Sequence, residues 1–432
     1  MRYKTINSYL FEKNRRKLSR RLPIYSLAII NSNDEMPRTA DQYYPYRQNS
    51  NFFYLSGIEQ AKSILCICPD YPDAHYREIL FLDKSTYHND TWTGRKLTIE
   101  EAVLISGIKN IYWLDDFENI LSDLMHHCRH VFMNYYDHAR SFDEIPLRDA
   151  RFIEKLKSFY PLHIYEQLNL IMADLRMIKE PEEVETIKTA ISITKQAFDK
   201  IVQEVHPGIK EYEIEALIIH EFLKNNSSGH AFHPIVASGK NACILHYTKN
   251  DEPCNDGELV LIDFGAEYAN YNADCTRTLP INGKFSKRQL EVYKTVLSLL
   301  NKGTEMIKPG KTIENLHQEM SIFSEQEMIK LGLFTKQDVQ NQNPETPLRK
   351  KYFMHGISHY LGLDVHDVGN KTDIMMPGMI ITWEPGLYIP EENIGIRLEN
   401  DVLLTEKGMI NLTADIPVEP DEIEKLMKKV KS

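Results

Sequence analysis

The stretch Leu259-Val260-Leu261-Ile262-Asp263-Phe264-Gly265-Ala266-Glu267-Tyr268-Ala269-Asn270-Tyr271-Asn272-Ala273-Asp274 sets two carboxylates against strand-forming residues. An apolar, β-branched run ends in Asp263, and alternation resumes around Tyr271, Ala273, Cys275 and Thr278. A tight turn centred on Tyr268 and Ala269 would place Asp263 directly opposite Asp274. Residues opposed in this way share one sheet face. Two carboxylates that close repel unless one keeps a proton or a cation lies between them.

The same problem recurs downstream. Ile380-Ile381-Thr382-Trp383 ends in Glu384, and Pro385-Gly386 forces a bend. Ile394, Ile396, Leu398 and Val402 alternate along a strand whose other face carries Arg397, Glu399 and Asp401. One acid at a strand end is ordinarily solvated or salt-bridged. Four on buried strands, if they converge, carry a charge of about −4 that is prohibitive unpaired and that two divalent cations match. Between the acid pairs lies Met354-His355-Gly356-Ile357-Ser358-His359-Tyr360-Leu361-Gly362-Leu363-Asp364-Val365-His366-Asp367, with three histidines in twelve residues. A neutral imidazole beside four carboxylates makes an oxygen-rich pair of sites, suited to Mn²⁺, Co²⁺ or Zn²⁺. The H-x-x-x-H spacing of zinc proteases is matched only in part, because Gly356 and Ser358 stand where a helical Glu belongs.

Outward from these motifs the chain divides near residues 172–181. Pro181, Glu182 and Glu183 open a helix, and Val184, Ile187, Ile191, Thr194, Phe198, Ile201 and Val205 recur at three- and four-residue steps. His206-Pro207-Gly208 ends it, and Ile214, Leu217, Ile218 and Phe222 mark a second helix. Ser286 with Gln289 forms a capping box for a third, which stops at Gly303; Thr312 caps a fourth. Paired helices followed by acid-bearing strands thus occur twice, which reads as an internal duplication. Lys308-Pro309-Gly310-Lys311-Thr312 is a turn and cap rather than a phosphate loop, since six residues separate Gly303 from Gly310 where the motif needs four.

Upstream, apolar runs at Ile24–Ile30, Ser63–Cys68 and Ile79–Leu82 alternate with helical stretches at Glu100–Leu104 and Phe117–Met125, the pattern of a mixed α/β domain. The basic residues Arg15 to Arg21 before Leu22–Ile30 loosely copy a signal peptide. Pro23 and the lack of a small-residue cleavage site favour a basic helix entering a buried strand. Cys66 and Cys68 offer half a zinc site with no partner pair nearby in the sequence and read as core.

The chain has 432 residues, 42% apolar and 26% charged, with 19 glycines and 20 prolines, so it is an ordinary globular protein of two or three domains. Its 51 basic and 62 acidic residues give a net charge of −11, a poor match for nucleic acid. No apolar stretch is long enough to span a membrane. Six scattered cysteines fit free thiols in a reducing cytoplasm.

Together these motifs resemble the Xaa-Pro aminopeptidase (aminopeptidase P) family, of the creatinase and methionine-aminopeptidase pita-bread superfamily. The likeness covers nearly the whole chain. Tyr44-Pro45-Tyr46-Arg47-Gln48-Asn49-Ser50 is similar to the family's N-terminal domain. Cys243-Ile244-Leu245-His246-Tyr247, the acidic strands and the histidine segment are similar to its catalytic domain. The resemblance implies an α/β N-terminal domain over 1–171 and an α+β pita-bread catalytic domain with pseudo-twofold duplication over 172–432. It implies that Asp263 and Asp274 bind one metal, His359 and Glu384 the other, and that Asp274 and Glu399 bridge them, with Mn²⁺ the first choice. Glu384 is then the proton shuttle, and His366 steadies the tetrahedral intermediate. His246 and His355 line the proline subsite, Arg397 supports Glu399, and Trp92 reaches a neighbouring subunit's cleft in a homodimer or homotetramer. Cys275 departs from the family's usual aliphatic residue after Asp274, and as its strand neighbour should point away from the metals. A prolidase and a metal-free peptide-binding protein on the same fold are the alternatives.

Overall fold

The computed structural model describes residues 3–135 and 145–429, which form two compact units divided between Arg176 and Met177. In the N-terminal unit, β1 (Ser26–Asn31) is buried throughout, flanked by a short surface hairpin of β2 (Pro37–Thr39) and β3 (Gln42–Tyr43). β4 (Ile64–Ile67), β5 (Glu78–Leu82), β6 (Asn110–Trp113), β7 (His130–Met133) and β8 (Ile164–Gln167) complete a mixed sheet of order β6-β5-β4-β1-β7-β8. β4 runs antiparallel to both neighbours, whereas β7 and β6 pair in parallel with β1 and β5. The basic N-terminal segment is the helix Ser8–Ser19. Its Arg15 is buried and donates to the carbonyls of Leu55 and Ser106 and to Glu78, so this cation serves the fold.

The second unit repeats one order of elements. Helices Pro181–Glu204 and Glu211–Lys224 precede β9 (Gly229–His230), β10 (Ile235–Ser238), β11 (Leu259–Phe264), β12 (Ala266–Tyr268), β13 (Tyr271–Asn272) and β14 (Cys275–Pro280). Helices Lys287–Met306 and Ile313–Lys330 precede β15 (Ile380–Trp383), β16 (Gly386–Ile389), β17 (Ile394–Arg397), β18 (Asn400–Thr405) and β19 (Gly408–Asn411). Each half builds a three-stranded sheet, β10-β11-β14 and β15-β18-β19. The first helix starts as its sequence requires: Pro181 sits in the first turn and Glu180 and Glu183 close a reciprocal cap. Val184, Ile187, Ile191, Phe198 and Ile201 form its buried stripe.

Two details depart from the sequence reading. The hairpin turn is centred on Ala269 and Asn270, both at positive φ, with Glu267 opposite Asn272 and Tyr268 opposite Tyr271. Asp263 therefore faces Thr276, and Asp274 lies just ahead of β14, in the break where the ladder changes sheets. There Gly265 lies so close to the Ala273 carbonyl that a Cβ would sit 1.7 Å from its oxygen, so only glycine allows the approach. The second departure is Gly303, which does not stop its helix; the helix continues to Met306. A Cβ on Gly303 would lie 2.1 Å from Nε1 of the buried Trp383. Gly303→Ala is expected to displace that indole and cost about 1–3 kcal/mol, the usual range for overpacking, measured as a fall in denaturant midpoint. An unchanged midpoint would show that Trp383 has room to move.

Candidate metal centre and active site

His359 and Glu384 are brought side by side because the irregular segment from Ile357 to Leu361 pairs with β15. The Thr382 amide donates to the His359 carbonyl at 2.9 Å, Leu361 N–H to Ile380 at 3.1 Å, and Glu384 N–H to Ile357 at 2.9 Å. Thr382 Oγ1 accepts the His359 amide as well. This strip sets His359 beside Glu384, with Nε2 and Oε1 3.9 Å apart. On the other side of β15, Thr382 faces Asp401 of β18, whose Oδ2 accepts the Asp274 backbone N–H at 3.1 Å. The second half of the fold thereby holds an acid of the first.

Donor atoms of Asp274, His359 and Glu399 lie within 4.8 Å of one another, the spacing of ligands around a shared ion. Nε2 of His359 is 3.5 Å from Oδ2 of Asp274. Its Nδ1 lies 3.0 Å from the Tyr360 carbonyl, so the proton belongs there and Nε2 turns a lone pair into the cluster. Oδ1 of Asp263 and of Asp274 are buried and accept no hydrogen bond from the described residues. Burial first, and then the charges of Asp263, Asp401 and Glu384, hold the Asp274 carboxyl well above its ordinary range. Burial and the charges of Asp274 and Asp263 do the same to Glu399, and burial raises Glu384. Such a set is stable only by retaining protons or by exchanging them for cations. The donors, oxygen-rich with one oriented imidazole, fit divalent cations.

Arg397 organises the rest. It donates through Nη2 to Oδ2 of Asp263 at 2.7 Å, through Nη1 to the Tyr388 hydroxyl at 2.8 Å, and through Nε to Thr276 Oγ1 at 3.1 Å. Thr276 in turn donates to Oε2 of Glu399 at 2.7 Å. Arg397 reaches Glu399 through Thr276 rather than directly, because the chain leaves β17 at this point and the Glu399 amide bonds the Thr276 carbonyl. The Tyr388 hydroxyl lies 2.9 Å from Nε2 of His355, whose Nδ1 lies 2.6 Å from the Gly356 carbonyl. Burial and the Arg397 charge push His355 down to about 3, so the ring is neutral, with both nitrogens engaged inside the protein. Its Nδ1 is 3.6 Å from Oε2 of Glu384. A cavity of about 460 Å³ opens beside it, lined by Ile313, Met354 and Ile357 with Glu314 and Lys371.

Of the remaining candidates, the exposed His366 stacks on the His359 ring at 4.1 Å, and the exposed His246 is near enough for its charge to lower His355. Trp92 belongs to the N-terminal unit, where it ends the helix Tyr87–Trp92, 75% exposed and 5.9 Å from the His88 ring. Cys275 is packed in the catalytic unit's core. Sequence reading passed over Thr276, Tyr388 and Thr382, and it placed Asp401 on the strand face without giving it a task. Asp401 is buried, and burial above all pushes its carboxyl up to about 8.

Clustered carboxylates around an oriented imidazole, shared between two halves of a duplicated fold, define a metal-dependent peptidase. The profile of metallopeptidase family M24 matches residues 185–406, and that of the aminopeptidase P N-terminal domain matches residues 11–132. The chain is 36% identical to the Xaa-Pro aminopeptidase of Escherichia coli K12 over 437 residues, covering 96% of this chain and 97% of that one. Zn-substituted E. coli aminopeptidase P in complex with product superposes with a TM-score of 0.89 at 32% identity, covering 99% of this chain and 100% of the other. The E. coli enzyme with the inhibitor Pro-Leu gives 0.88 at 34% identity over the same shares. The chain belongs to metallopeptidase family M24, carries an aminopeptidase P N-terminal domain, and is a metallo-aminopeptidase with the pita-bread catalytic fold. Among the described residues no helix is long and apolar enough to cross a membrane.

Proposed function

We propose that the chain releases the N-terminal residue from peptides with proline at the second position, using two divalent cations held by Asp263, Asp274, His359, Glu384 and Glu399. The observation that carries this reading is the meeting of Asp274, His359 and Glu399 donors within 4.8 Å, beside carboxylate oxygens of Asp263 and Asp274 that are buried with no hydrogen-bond partner among the described residues. The Xaa-Pro aminopeptidase name of the E. coli relative and the Pro-Leu complex of the solved neighbour support the substrate class.

Cations bound there supply Lewis acidity to the scissile carbonyl and a nucleophile from water at neutral pH. The chain does the rest. Glu384, beside His359, takes a proton from the attacking water and returns it to the leaving prolyl nitrogen. His366, which stacks on His359, is the residue that the family resemblance assigns to steadying the tetrahedral intermediate. A prolyl imide has no N–H to offer a recognising strand. The enzyme therefore relies on a shaped subsite lined by His355 and His246, of which His355 borders the 460 Å³ cavity together with the apolar Ile313, Met354 and Ile357. Mn²⁺ as the working metal, a homodimer or homotetramer in which Trp92 serves a neighbouring cleft, and a cytoplasmic location suited to six free thiols complete the proposal.

The test is release of arginine from Arg-Pro-Pro. Activity is expected to be abolished by a chelator and restored by Mn²⁺. Cleavage of Xaa-Pro dipeptides but not of the tripeptide would make the enzyme a prolidase. Peptide binding that survives metal removal, without turnover under any metal, would make it a binding protein.

A further inference from the structure

A second group of metal-ligating side chains lies wholly within the N-terminal unit. Cys68 follows β4, Asp70 sits in the turn after it, and His127 ends the helix Phe117–His127. One donor atom from each lies within 4.8 Å of the other two. The sequence offers Cys66 and Cys68 as a C-x-C pair; both are packed in the sheet's core, and only Cys68 belongs to this group. The partners of Cys68 come instead from an acid and an imidazole, the latter brought in by the fold.

The group is built but incomplete. Oδ2 of Asp70 accepts the Tyr25 backbone N–H at 2.6 Å, while its Oδ1 is buried with no hydrogen-bond partner among the described residues. Nε2 of His127 is likewise buried without a hydrogen bond among the described residues; it pairs with Oδ2 of Asp70 only at 3.8 Å, too far for a hydrogen bond. The imidazole is held edge-on by Tyr71 at 4.9 Å and flanked by Tyr25 at 5.6 Å, so its orientation is fixed before anything binds. Cys68 is fully buried, whereas the His127 and Asp70 side chains remain 18% and 29% exposed, which leaves an entry path. Orphaned buried donors and acceptors of this kind call for an ion or another partner.

We propose that Cys68, Asp70 and His127 bind a zinc ion, separate from the catalytic metals, that fastens the end of β4 to the end of helix Phe117–His127. Thiolate, imidazole and carboxylate are the donor set of tetrahedral Zn²⁺, and solvent supplies the fourth ligand. On binding, Cys68 Sγ forms the metal bond and its thiol proton passes to solvent; nothing is oxidised or reduced. The thiolate also separates the site chemically from the oxygen-rich centre, which has no sulfur donor.

That difference makes the test. Metal-free full-length protein is titrated with Co²⁺, which gives a near-ultraviolet thiolate-to-cobalt charge-transfer band only where sulfur is a ligand. With the catalytic centre first filled by saturating Mn²⁺, the band is expected to develop on adding Co²⁺, to be bleached by excess Zn²⁺ and to withstand further Mn²⁺. It should vanish in Cys68→Ser and weaken strongly in His127→Gln and Asp70→Asn, whose side chains are partly exposed and whose loss the fold tolerates. It should persist in Cys128→Ser, which removes the buried thiol next to His127 that lies outside the group. Cleavage of the proline peptide at saturating Mn²⁺ should be unchanged in all four variants. A folded wild type without the band, a band that persists in Cys68→Ser, or wild-type cobalt affinity in His127→Gln overturns the site.

Discussion

Asp263→Asn and Glu399→Gln are each expected to abolish cleavage of a proline-containing peptide while leaving the fold intact. Both changes keep the size of the side chain and remove one anionic oxygen from the cluster. An amide cannot match a carboxylate's charge toward a dication, and loss of several kcal/mol of transition-state stabilisation lowers kcat/KM by about 10³-fold or more. The fold survives for an electrostatic reason. Without metal, Asp274 and Glu399 raise each other's proton affinity, so Glu399→Gln relieves repulsion, whereas Asp263→Asn takes the charge partner from Arg397 and is expected to fold with reduced stability, the guanidinium keeping Tyr388 and Thr276 as acceptors. Thr276 still donates to the amide oxygen that replaces Oε2 of Glu399. Rates at saturating Mn²⁺, together with metal content and the thermal midpoint, measure this. Wild-type turnover in either variant would remove these residues from the metal centre.

Arg397→Met is expected to be the most destabilising change in the network. The guanidinium is the cation that bonds Asp263, Tyr388 and Thr276 at once, and its side chain is 6% exposed. Methionine preserves much of the volume and none of the charge. Breaking a buried ion pair from one side costs about 3–5 kcal/mol, because the remaining charge stays buried. Added divalent cation should recover part of the loss by binding only the folded state. Arg397→Lys should not rescue it, since a single ammonium cannot reach three acceptors in a fork. Denaturant unfolding of metal-free protein decides the matter: a loss below about 1 kcal/mol, the worth of an exposed pair, would mean that Arg397 is incidental to the site.

The strands and their terminal acids were legible because burial on both faces writes itself as apolar runs, against which Asp263, Glu384 and Glu399 stand out. The capping residues Ser286 and Thr312 were legible for the local reason that a cap is closed within four residues. Register was not. A turn shifted by one residue, onto Ala269 and Asn270, moves Asp263 from Asp274 to Thr276, and only the folded backbone decides between them. The same limit hid Thr276, Tyr388 and Thr382, whose partners lie across the fold at Glu399, His355 and His359. Gly303 read as a stop because sequence shows the missing side chain and not the indole that requires its absence. Cys68 read as core and is packed there; what the sequence did not show is the imidazole beside it, since helix Phe117–His127 brings His127 to it from far along the chain.

The segment that carries His359 has little regular structure of its own; its place is set by backbone bonds to β15 at Ile380, Thr382 and Glu384. Its apolar side chains fasten it as well, Ile357, Tyr360 and Leu361 being buried on either side of the imidazole. Shortening one of them, as in Leu361→Ala, is accordingly expected to loosen the grip on the cations without touching any residue that would hold them.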